Sequence, residues 1–204
     1  MPEPLGLFGG TFDPVHFGHL RLAEESISHL GLSGVRWIPA GQPPHRNQPD
    51  VTARQRLEMV LRSTEKNERF SVDASEVEAA APSYTVCTLE RLRAELGSEY
   101  PLVLLVGADA FAGLTTWHRW RDIFALAHIA VSHRPGFPVE ISSLPNELAT
   151  EFNDRRLSNA SALKDAPAGG VKLRGLPLLA QHARRVRDVQ GGLKALRCAA
   201  VHGF

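Results

Sequence analysis

Short apolar runs alternate with amphipathic stretches along this chain, and the alternation limits the possible folds more than any other sequence feature. The apolar runs have the length and composition of buried strands and cover residues 5–8, 35–38, 70–72, 102–106 and 129–132. Strands that alternate with helices predict crossover connections, a mainly parallel sheet and helices on both faces of that sheet. We therefore predict an α/β, doubly wound fold.

The predicted helices carry local signals at their ends. The first has apolar residues at helical spacing and ends before Gly31, a typical C-cap. The second opens with Thr52 and Gln55 in a capping-box pattern and extends to about residue 64. The third has the same periodicity and ends before Gly97.

No domain boundary is evident in the sequence. Residues 135–170 are rich in Pro, Asn, Ser and Ala and have little periodicity, so we expect a long irregular connection there. There is no internal repeat. We predict a single domain over residues 1–204, with an atypical tail from about residue 181.

Two glycine-containing segments directly follow predicted strands. Gly9–Gly10 follows the first strand, and Gly107–Asp109 follows the strand at residues 102–106. Ligands of open α/β sheets bind beyond the carboxyl ends of the strands. We therefore expect both segments to face the same crevice.

The segment Gly9–His19, with the sequence GGTFDPVHFGH, has several properties of a phosphate-binding site. Its first two glycines have no side chain to block close approach of the backbone, and Thr11 adds a hydroxyl donor. His16 and His19 are three residues apart, so on the first turn of a helix they share one face. The N-terminus of that helix also favours an anion. We infer that this segment binds phosphate groups.

The segment does not match the commoner glycine motifs. The order of its glycines fails the dinucleotide fingerprint, and the chain has no Gly-Lys-Ser/Thr of a P-loop. The His-x-x-His spacing also differs from the i, i+4 pair of a zinc-protease helix. A capping or packing role would explain either histidine alone. The pair placed directly after a Gly-Gly-Thr loop favours phosphate binding.

Composition excludes several classes of protein. The 204 residues are 43% hydrophobic and carry a formal net charge of +1, which does not fit a protein that coats nucleic acid. Seven Lys or Arg and one acid lie between Lys172 and Arg197, and we interpret them as a solvated basic surface. Cys87 and Cys198 have no metal or redox spacing. With no leader peptide and no apolar run that could span a bilayer, we expect a cytoplasmic protein with no nucleic-acid or membrane partner.

The segment Gly9–His19 resembles the signature of the His-x-Gly-His nucleotidyltransferase superfamily. Five further segments narrow the resemblance from the superfamily to one family within it. They occur in that family's order and with its spacing as far as about residue 137. The chain thereby resembles the bacterial nicotinate-nucleotide adenylyltransferase family. The segments are IPAGQPPHR at 38–46, PSYTV at 82–86, GADAF at 107–111, TWHRW at 116–120 and RPG at 134–136.

The resemblance implies a Rossmann-like nucleotidyltransferase fold. It also implies an enzyme that joins ATP and nicotinate mononucleotide, releases pyrophosphate and makes the deamido form of NAD. It implies catalytic roles for His16 and His19 as donors to the ATP phosphates. The implied ATP-binding residues are Gly9, Gly10, Thr11, Phe12, Gly18, Gly107, Asp109 and Arg187. The implied acceptor-binding residues are Asp13, His45, Arg46, Tyr84, Thr85, Trp117, His118 and Arg134. Mg²⁺ is expected as a bridge between phosphate oxygens.

In the family, several of these positions have specific partners. The loop of His45 and Arg46 faces the mononucleotide phosphate, Trp117 stacks on the pyridine ring, and the helix start after Tyr84 offers backbone donors to the nicotinate carboxylate. Asp109 would accept from ribose hydroxyls. Without the resemblance, we would interpret the segment of His45 and Arg46 as an ordinary surface loop. Trp117 would then be a core residue and Arg134 a surface arginine in a turn.

The chain departs from the family in its tail. The family's second signature, Ser-Ser/Ala-Thr-x-Ile/Val-Arg, corresponds here to residues 182–187, where Ala183, Val186 and Arg187 fit but the Ser and Thr are replaced by His182 and Arg184. The hydrophobic, aromatic ending of the family is also missing. Either the tail is divergent, with His182 and Arg184 as substitute phosphate donors, or the reading frame changes near residue 181. We favour the second explanation because both departures coincide.

Three alternative functions stay open at this point. The acceptor could be the amide mononucleotide or another phosphate such as phosphopantetheine. The chain could bind ATP without catalysis, because its second signature is broken. RNA binding is the third alternative, suggested by the basic stretch and by the similar histidine motif of some tRNA synthetases. The near-neutral charge and the lack of room for a tRNA-reading domain argue against it.

Overall fold

The computed structural model describes residues 2–43, 49–79, 81–133 and 140–175. Six parallel strands form one sheet in the order β3-β2-β1-β4-β5-β6. The strands are β1 Leu5–Gly10, β2 Gly34–Pro39, β3 Phe70–Val72, β4 Leu102–Gly107, β5 His128–His133 and β6 Val171–Gly175. The helices are α1 Phe17–Leu30, α2 Ala53–Thr64, α3 Ser75–Glu78, α4 Thr85–Leu96, α5 Ala108–Ala112, α6 Asp122–Leu126 and α7 Asn146–Arg155.

Helices cover both faces of the sheet. Along β4, Leu102, Leu104 and Val106 point into one apolar cluster, and the alternate residues Val103 and Leu105 point into a second one. The first cluster also contains buried residues of α4, α5, α6 and α7, and the second contains those of α1 and α2. This arrangement confirms the predicted α/β, doubly wound fold. Within the described ranges, no helix is long and apolar enough to cross a membrane.

The helix ends follow the local sequence signals. Gly31 is the C-cap of α1 in the left-handed conformation, with φ of 64°, and its N–H bonds to the Ile27 carbonyl. Thr52 is the N-cap of α2: its Oγ1 accepts from the Gln55 N–H at 3.3 Å, and the Gln55 side chain accepts from the Thr52 N–H at 3.0 Å. Both predicted helix ends are therefore confirmed.

The expected irregular connection at residues 135–170 is wrong in part. It contains α7, whose Leu148 and Phe152 are fully buried. Two buried apolar residues four positions apart are too few to reveal helical periodicity in a polar stretch. The outermost described strand, β6, was also missed, because Lys172 interrupts its apolar residues and its pairing with β5 is a non-local interaction.

Lys172 belongs to the stretch that we interpreted as a solvated basic surface. In the structure its Nζ donates to the carbonyl oxygens of Ser158, at 2.5 Å, and Leu157, at 3.3 Å. This lysine therefore holds the chain segment that precedes β6. From residue 176 onward, the basic stretch lies outside the described residues.

Candidate active site

A crevice opens between β1 and β4 at their carboxyl ends. β1 pairs with β2 as far as Gly10, but with β4 only as far as Leu7 opposite Leu104. Continuing the β1–β4 register would place Gly10 level with Gly107. The chain leaves β1 toward the face that carries α1, and it leaves β4 toward the opposite face. Sheets of this kind bind ligands at such a reversal of strand order. The expectation that both glycine segments face one crevice is met by this topology.

Two of the predicted glycines lie where an added Cβ would crowd a neighbouring ring. A Cβ at Gly10 would lie 3.1 Å from the Phe12 ring, and a Cβ at Gly18 would lie 3.2 Å from the His16 ring. A Cβ at Gly9 would meet only the Ile38 carbonyl oxygen, at 4.0 Å. Gly10 therefore lets the Phe12 ring pack against the backbone, and Gly18 does the same for the His16 ring. Gly9 instead leaves open space beside the loop.

The two predicted catalytic histidines are in direct contact. His16 is the N-cap of α1, and its backbone N–H donates to His19 Nδ1 at 3.2 Å. Their rings stack with centroids 3.7 Å apart. Because Nδ1 of His19 accepts, a neutral His19 ring carries its proton on Nε2, which makes Nε2 the donor. The first turn of α1 contains no acidic residue, so no carboxylate there would repel an anion at its positive end.

Phe12 packs against His19 of this histidine pair. It has φ of 52°, a left-handed conformation that is uncommon for an aromatic residue and costs about 1–3 kcal/mol. Its buried ring lies edge-on to His19 at 5.2 Å and also packs against Phe8 and Trp37. Because the ring contacts protein, its predicted role toward ATP is restricted to its backbone.

A buried cation in this region, Arg56, was missed by the sequence reasoning. Its side chain, in α2, is 1% exposed. Its Nη1 donates to the carbonyl oxygens of Thr11 and Ala40, each at 2.6 Å, and its Nη2 donates to that of Gly41 at 3.1 Å. Burial lowers the pKa of the Arg56 guanidinium, and the carboxylate of Asp13 acts in the opposite direction.

Asp13, a predicted acceptor-binding residue, is already engaged within the protein. Its Oδ2 accepts the backbone N–H of Asp50 at 2.6 Å, which ties the loop after β1 to the segment before α2. Asp13 is half-buried, so only part of its carboxylate surface is open to a ligand.

Four of the predicted acceptor residues, Tyr84, Thr85, Trp117 and His118, lie at or near the start of α4. Tyr84 is the N-cap of α4, and its ring lies 4.6 Å from the ring of His118. Trp117 packs partly against the adjoining apolar cluster and keeps part of its surface exposed. Tyr84 makes no side-chain cap bond, and the first turn that begins at Thr85 has no acidic residue. This helix start can therefore donate N–H groups to an anionic ligand.

Two polar residues beside α4 were also missed. Ser83 Oγ accepts the backbone N–H groups of Gly41 at 2.9 Å and Gln42 at 3.3 Å. Glu76 accepts hydrogen bonds from the Thr88 and Ser83 hydroxyls. Burial raises the pKa of the Glu76 carboxyl, and these hydrogen bonds oppose that rise. Ser83 belongs to the PSYTV segment of the family resemblance, but that segment indicated no role for its hydroxyl. An isolated Glu in a polar stretch gives no sequence signal of such a role.

The second glycine segment lies at the end of β4. Gly107 is the N-cap of α5, and Asp109 is an exposed residue of the first turn of that helix. Its carboxylate is thus accessible at the edge of the crevice. Four predicted site residues, and the tail that carries the altered second signature, lie outside the described residues. The four are His45, Arg46, Arg134 and Arg187.

Comparison with known proteins identifies the family. A family model described as cytidylyltransferase-like matches residues 7–167. A protein of Dechloromonas aromatica named "Probable nicotinate-nucleotide adenylyltransferase" is 74% identical over 189 residues, which cover 93% of this chain and 87% of that protein. A Pseudomonas aeruginosa protein of the same name is 42% identical over 197 residues, with coverages of 97% and 90%.

Among solved structures, the chain is similar to a Plasmodium falciparum nicotinic acid mononucleotide adenylyltransferase complexed with NaAD. The TM-score is 0.62 at 14% identity, and the match covers 88% of this chain and 78% of that one. At that identity the likeness concerns the fold alone. The sequence relatives carry more weight, because they match over almost the whole chain. The resemblance inferred from the motifs is thereby confirmed, and this chain belongs to the nicotinate-nucleotide adenylyltransferase family of cytidylyltransferase-like proteins.

Proposed function

We propose that this chain transfers the adenylyl group of ATP to nicotinate mononucleotide and releases pyrophosphate, which is a step of NAD biosynthesis. One observation carries the proposal: His16 and His19 stack at the N-terminus of α1, in the crevice between β1 and β4. The two sequence relatives described above are named for this activity. The deamido form of NAD is the second product.

The reaction needs positioning more than acid–base chemistry. A phosphate oxygen of the mononucleotide attacks the α-phosphorus of ATP in line, and the bond from that phosphorus to the bridging oxygen breaks. The attacking phosphate has a second pKa of about 6, so at neutral pH it needs no general base. Negative charge develops on the leaving pyrophosphate, and fixed donors stabilise it.

The phosphate-side donors come from the Gly9–His19 segment. His19 Nε2 and the ring of His16 would donate to ATP phosphate oxygens, together with the first N–H groups of α1 and the hydroxyl of Thr11. Gly9 and Gly10 would let the phosphates approach the loop backbone. Gly18, Phe12, Gly107 and Asp109 complete the proposed ATP site, with Asp109 accepting from ribose hydroxyls.

The acceptor side favours an acid over an amide. The uncapped start of α4 at Thr85 provides N–H donors and the positive end of a helix dipole, which favour a carboxylate. The rings of Tyr84, His118 and Trp117 would flank the pyridine. His45, Arg46 and Arg134 are proposed, from the family resemblance, to bind the mononucleotide phosphate. Arg187 is proposed in the same way to bind ATP.

We propose that Mg²⁺ accompanies ATP. Mg²⁺ is usually bound through substrate phosphates rather than in a cage of protein ligands, so we expect it on the phosphate oxygens of ATP. When bound there, it would neutralise part of the phosphate charge. We further propose that the chain acts as one domain in the cytoplasm, on small-molecule substrates.

Pyrophosphate release in the presence of ATP tests the proposal. Nicotinate mononucleotide, nicotinamide mononucleotide and phosphopantetheine should be offered separately as acceptors. We expect release with the nicotinate form and at least tenfold lower kcat/KM with the other two. A clear preference for the amide mononucleotide would contradict the assignment.

A second candidate function follows from the replaced residues of the second signature. His182 and Arg184 stand where the family has hydroxyl side chains. If they cannot stabilise the phosphates, the chain would bind ATP without turnover. Calorimetric binding of ATP without pyrophosphate release from any acceptor would support this candidate.

A further inference from the structure

The loop that follows β2 is held from two sides by side chains that no step of the proposed reaction uses. We propose that Arg56 and Ser83 form a clamp and that both are positioning residues for adenylyl transfer. The clamp fixes the loop after β2 relative to the phosphate-side loop after β1 and to the start of α4. The inference rests on the proposed function, because these three segments form the proposed ATP and acceptor sites.

Arg56 provides one side of the clamp. Its buried guanidinium donates to the Thr11 carbonyl in the loop after β1 and to the Ala40 and Gly41 carbonyls in the loop after β2. Nε has no hydrogen-bond partner among the described residues, so the hydrogen bonds of the guanidinium all go to these two loops. A guanidinium presents its N–H groups in a rigid planar fork, and it therefore fixes the angle between the loops as well as their separation.

Ser83 provides the other side. Its Oγ accepts the N–H groups of Gly41 and Gln42, and its own N–H donates to the Gln42 carbonyl at 3.0 Å. In the peptide groups 40–41 and 41–42, Arg56 thus binds the two carbonyl oxygens and Ser83 binds the two N–H groups. Each peptide group is held at both polar ends by side chains from different segments.

The loop after β2 also packs closely against α3. A Cβ at Gly41 would lie 1.9 Å from the carbonyl oxygen of Glu76, so the loop backbone rests directly on α3. The Glu76 carboxyl in turn accepts a hydrogen bond from the Ser83 hydroxyl. α3 therefore supports both the clamped loop and the serine that clamps it.

The clamp is connected to both proposed substrate sites. On the ATP side, the Thr11 carbonyl directly precedes Phe12, whose strained backbone places its ring against His19. On the acceptor side, Ser83 directly precedes Tyr84, the N-cap of α4. A shift of about 1 Å in catalytic geometry costs up to about a hundredfold in rate. Loss of the clamp should therefore impair turnover even where the fold survives.

Kinetics of Arg56→Lys and Ser83→Ala test the clamp. Lysine keeps the positive charge but cannot hold three carbonyls in a fork, and alanine removes the acceptor oxygen. We expect each variant to raise KM for nicotinate mononucleotide and lower kcat, with kcat/KM reduced roughly tenfold to a hundredfold. Ser83→Thr keeps the oxygen and should retain most of the activity. Unchanged kcat/KM in Arg56→Lys and Ser83→Ala would overturn the proposal.

Arg93 offers a matched control with the same chemistry away from the crevice. Its guanidinium donates to the carbonyls of Tyr100, Leu126 and Pro167, near the amino ends of β4 and β5. Arg93→Lys should lower the melting temperature but leave both KM values within twofold of the unaltered chain. If Arg93→Lys changed kcat/KM as much as Arg56→Lys, the clamp would have only a general structural role and the proposal would fail.

Amide hydrogen exchange tests the clamp without any assay of activity. The N–H groups of Gly41 and Gln42 donate to Ser83 and not to Arg56, which is itself a donor. Replacing the guanidinium in Arg56→Lys should nevertheless free the loop and speed the exchange of these two N–H groups at least tenfold. Unchanged exchange there would overturn the clamp. If the unaltered chain released no pyrophosphate, the proposed function would fail, while these exchange rates would still decide whether the two side chains act together.

Discussion

His16 and His19 help to position each other. The backbone N–H of His16 fixes Nδ1 of His19, and the absence of a side chain at Gly18 lets the His16 ring lie over that turn. Sequence spacing alone predicted that the two histidines share a face. The stacking and the choice of the donor nitrogen depend on loop geometry, which a spacing pattern does not contain.

Replacing either histidine tests its assigned role. We expect His16→Ala and His19→Ala to lower kcat by about 10²–10³-fold, because each removes a donor to the developing phosphate charge. Steady-state pyrophosphate release and circular dichroism would measure activity and fold. His29→Ala, in the last turn of the same helix, is the matched control and should keep near-normal activity. Near-normal turnover in either of the first two variants would refute the assignment.

Gly18→Ala separates activity from stability at a single position. The added Cβ would lie 3.2 Å from the His16 ring and displace it, whereas alanine has the higher helix propensity by about 1 kcal/mol. We expect lower kcat/KM with an unchanged or higher melting temperature. Gly113→Ala is the control, because its Cβ would meet nothing closer than 3.7 Å. Full activity in Gly18→Ala would show that the ring position is not required.

The burial of His128 leads to a prediction of how stability depends on pH. It is buried at the start of β5, where Nδ1 accepts from the Gly170 N–H at 2.9 Å and Nε2 lies 2.8 Å from the Ala166 carbonyl. Burial lowers the pKa of His128; the hydrogen bond to Ala166 raises it and nearby Arg93 lowers it further. The unfolded chain, with a histidine pKa of about 6.5, therefore binds this proton at higher pH than the folded chain does.

It follows that the contribution of neutral His128 is fully present above about pH 6.5 and declines as the pH falls below that value. The free energy of unfolding, measured with urea between pH 5 and pH 7.5, should show this decline. His128→Gln should be less stable overall but should have a flatter pH profile in that range. An identical pH profile in both proteins would contradict the prediction.

At the scale of elements, local signals predicted most of the fold. The capping box of Thr52 and Gln55 and the C-cap Gly31 fixed helix ends because caps are made within a few residues. β6 and α7 escaped prediction because their apolar residues are few and their stability comes from partners distant in sequence. Arg56 lies on the apolar stripe of α2 with Met59 and Val60, and a charge on such a stripe is the signal that could have found it.

The missed helix α7 should contribute to the core. Phe152 is fully buried and packs edge-on to Phe111 in α5 at 6.2 Å. Phe152→Ala should lower the free energy of unfolding by about 3–5 kcal/mol. Thr150→Ala, on the exposed side of the same helix, should change it by less than about 0.5 kcal/mol. Urea titrations of both variants would measure this, and a loss below about 1 kcal/mol at Phe152 would mean that α7 is only loosely packed.

At the scale of the whole molecule, strand order creates the site. The reversal between β1 and β4 brings together segments that are about a hundred residues apart in the chain, and the sequence predicted this because both follow strands. The motifs also indicated the family. They could not predict how the two sides are held in register, since the hydrogen bonds of Arg56 and Ser83 go to backbone atoms whose positions only the fold defines.

The proposed function depends most on the identity of the acceptor. The direct measurement is a competition in which equal concentrations of nicotinate and nicotinamide mononucleotides share limiting ATP, with both dinucleotide products quantified by mass spectrometry. The product ratio equals the ratio of kcat/KM values. We predict that the deamido form of NAD exceeds NAD at least tenfold. An excess of NAD, or the absence of any dinucleotide, would contradict the central claim.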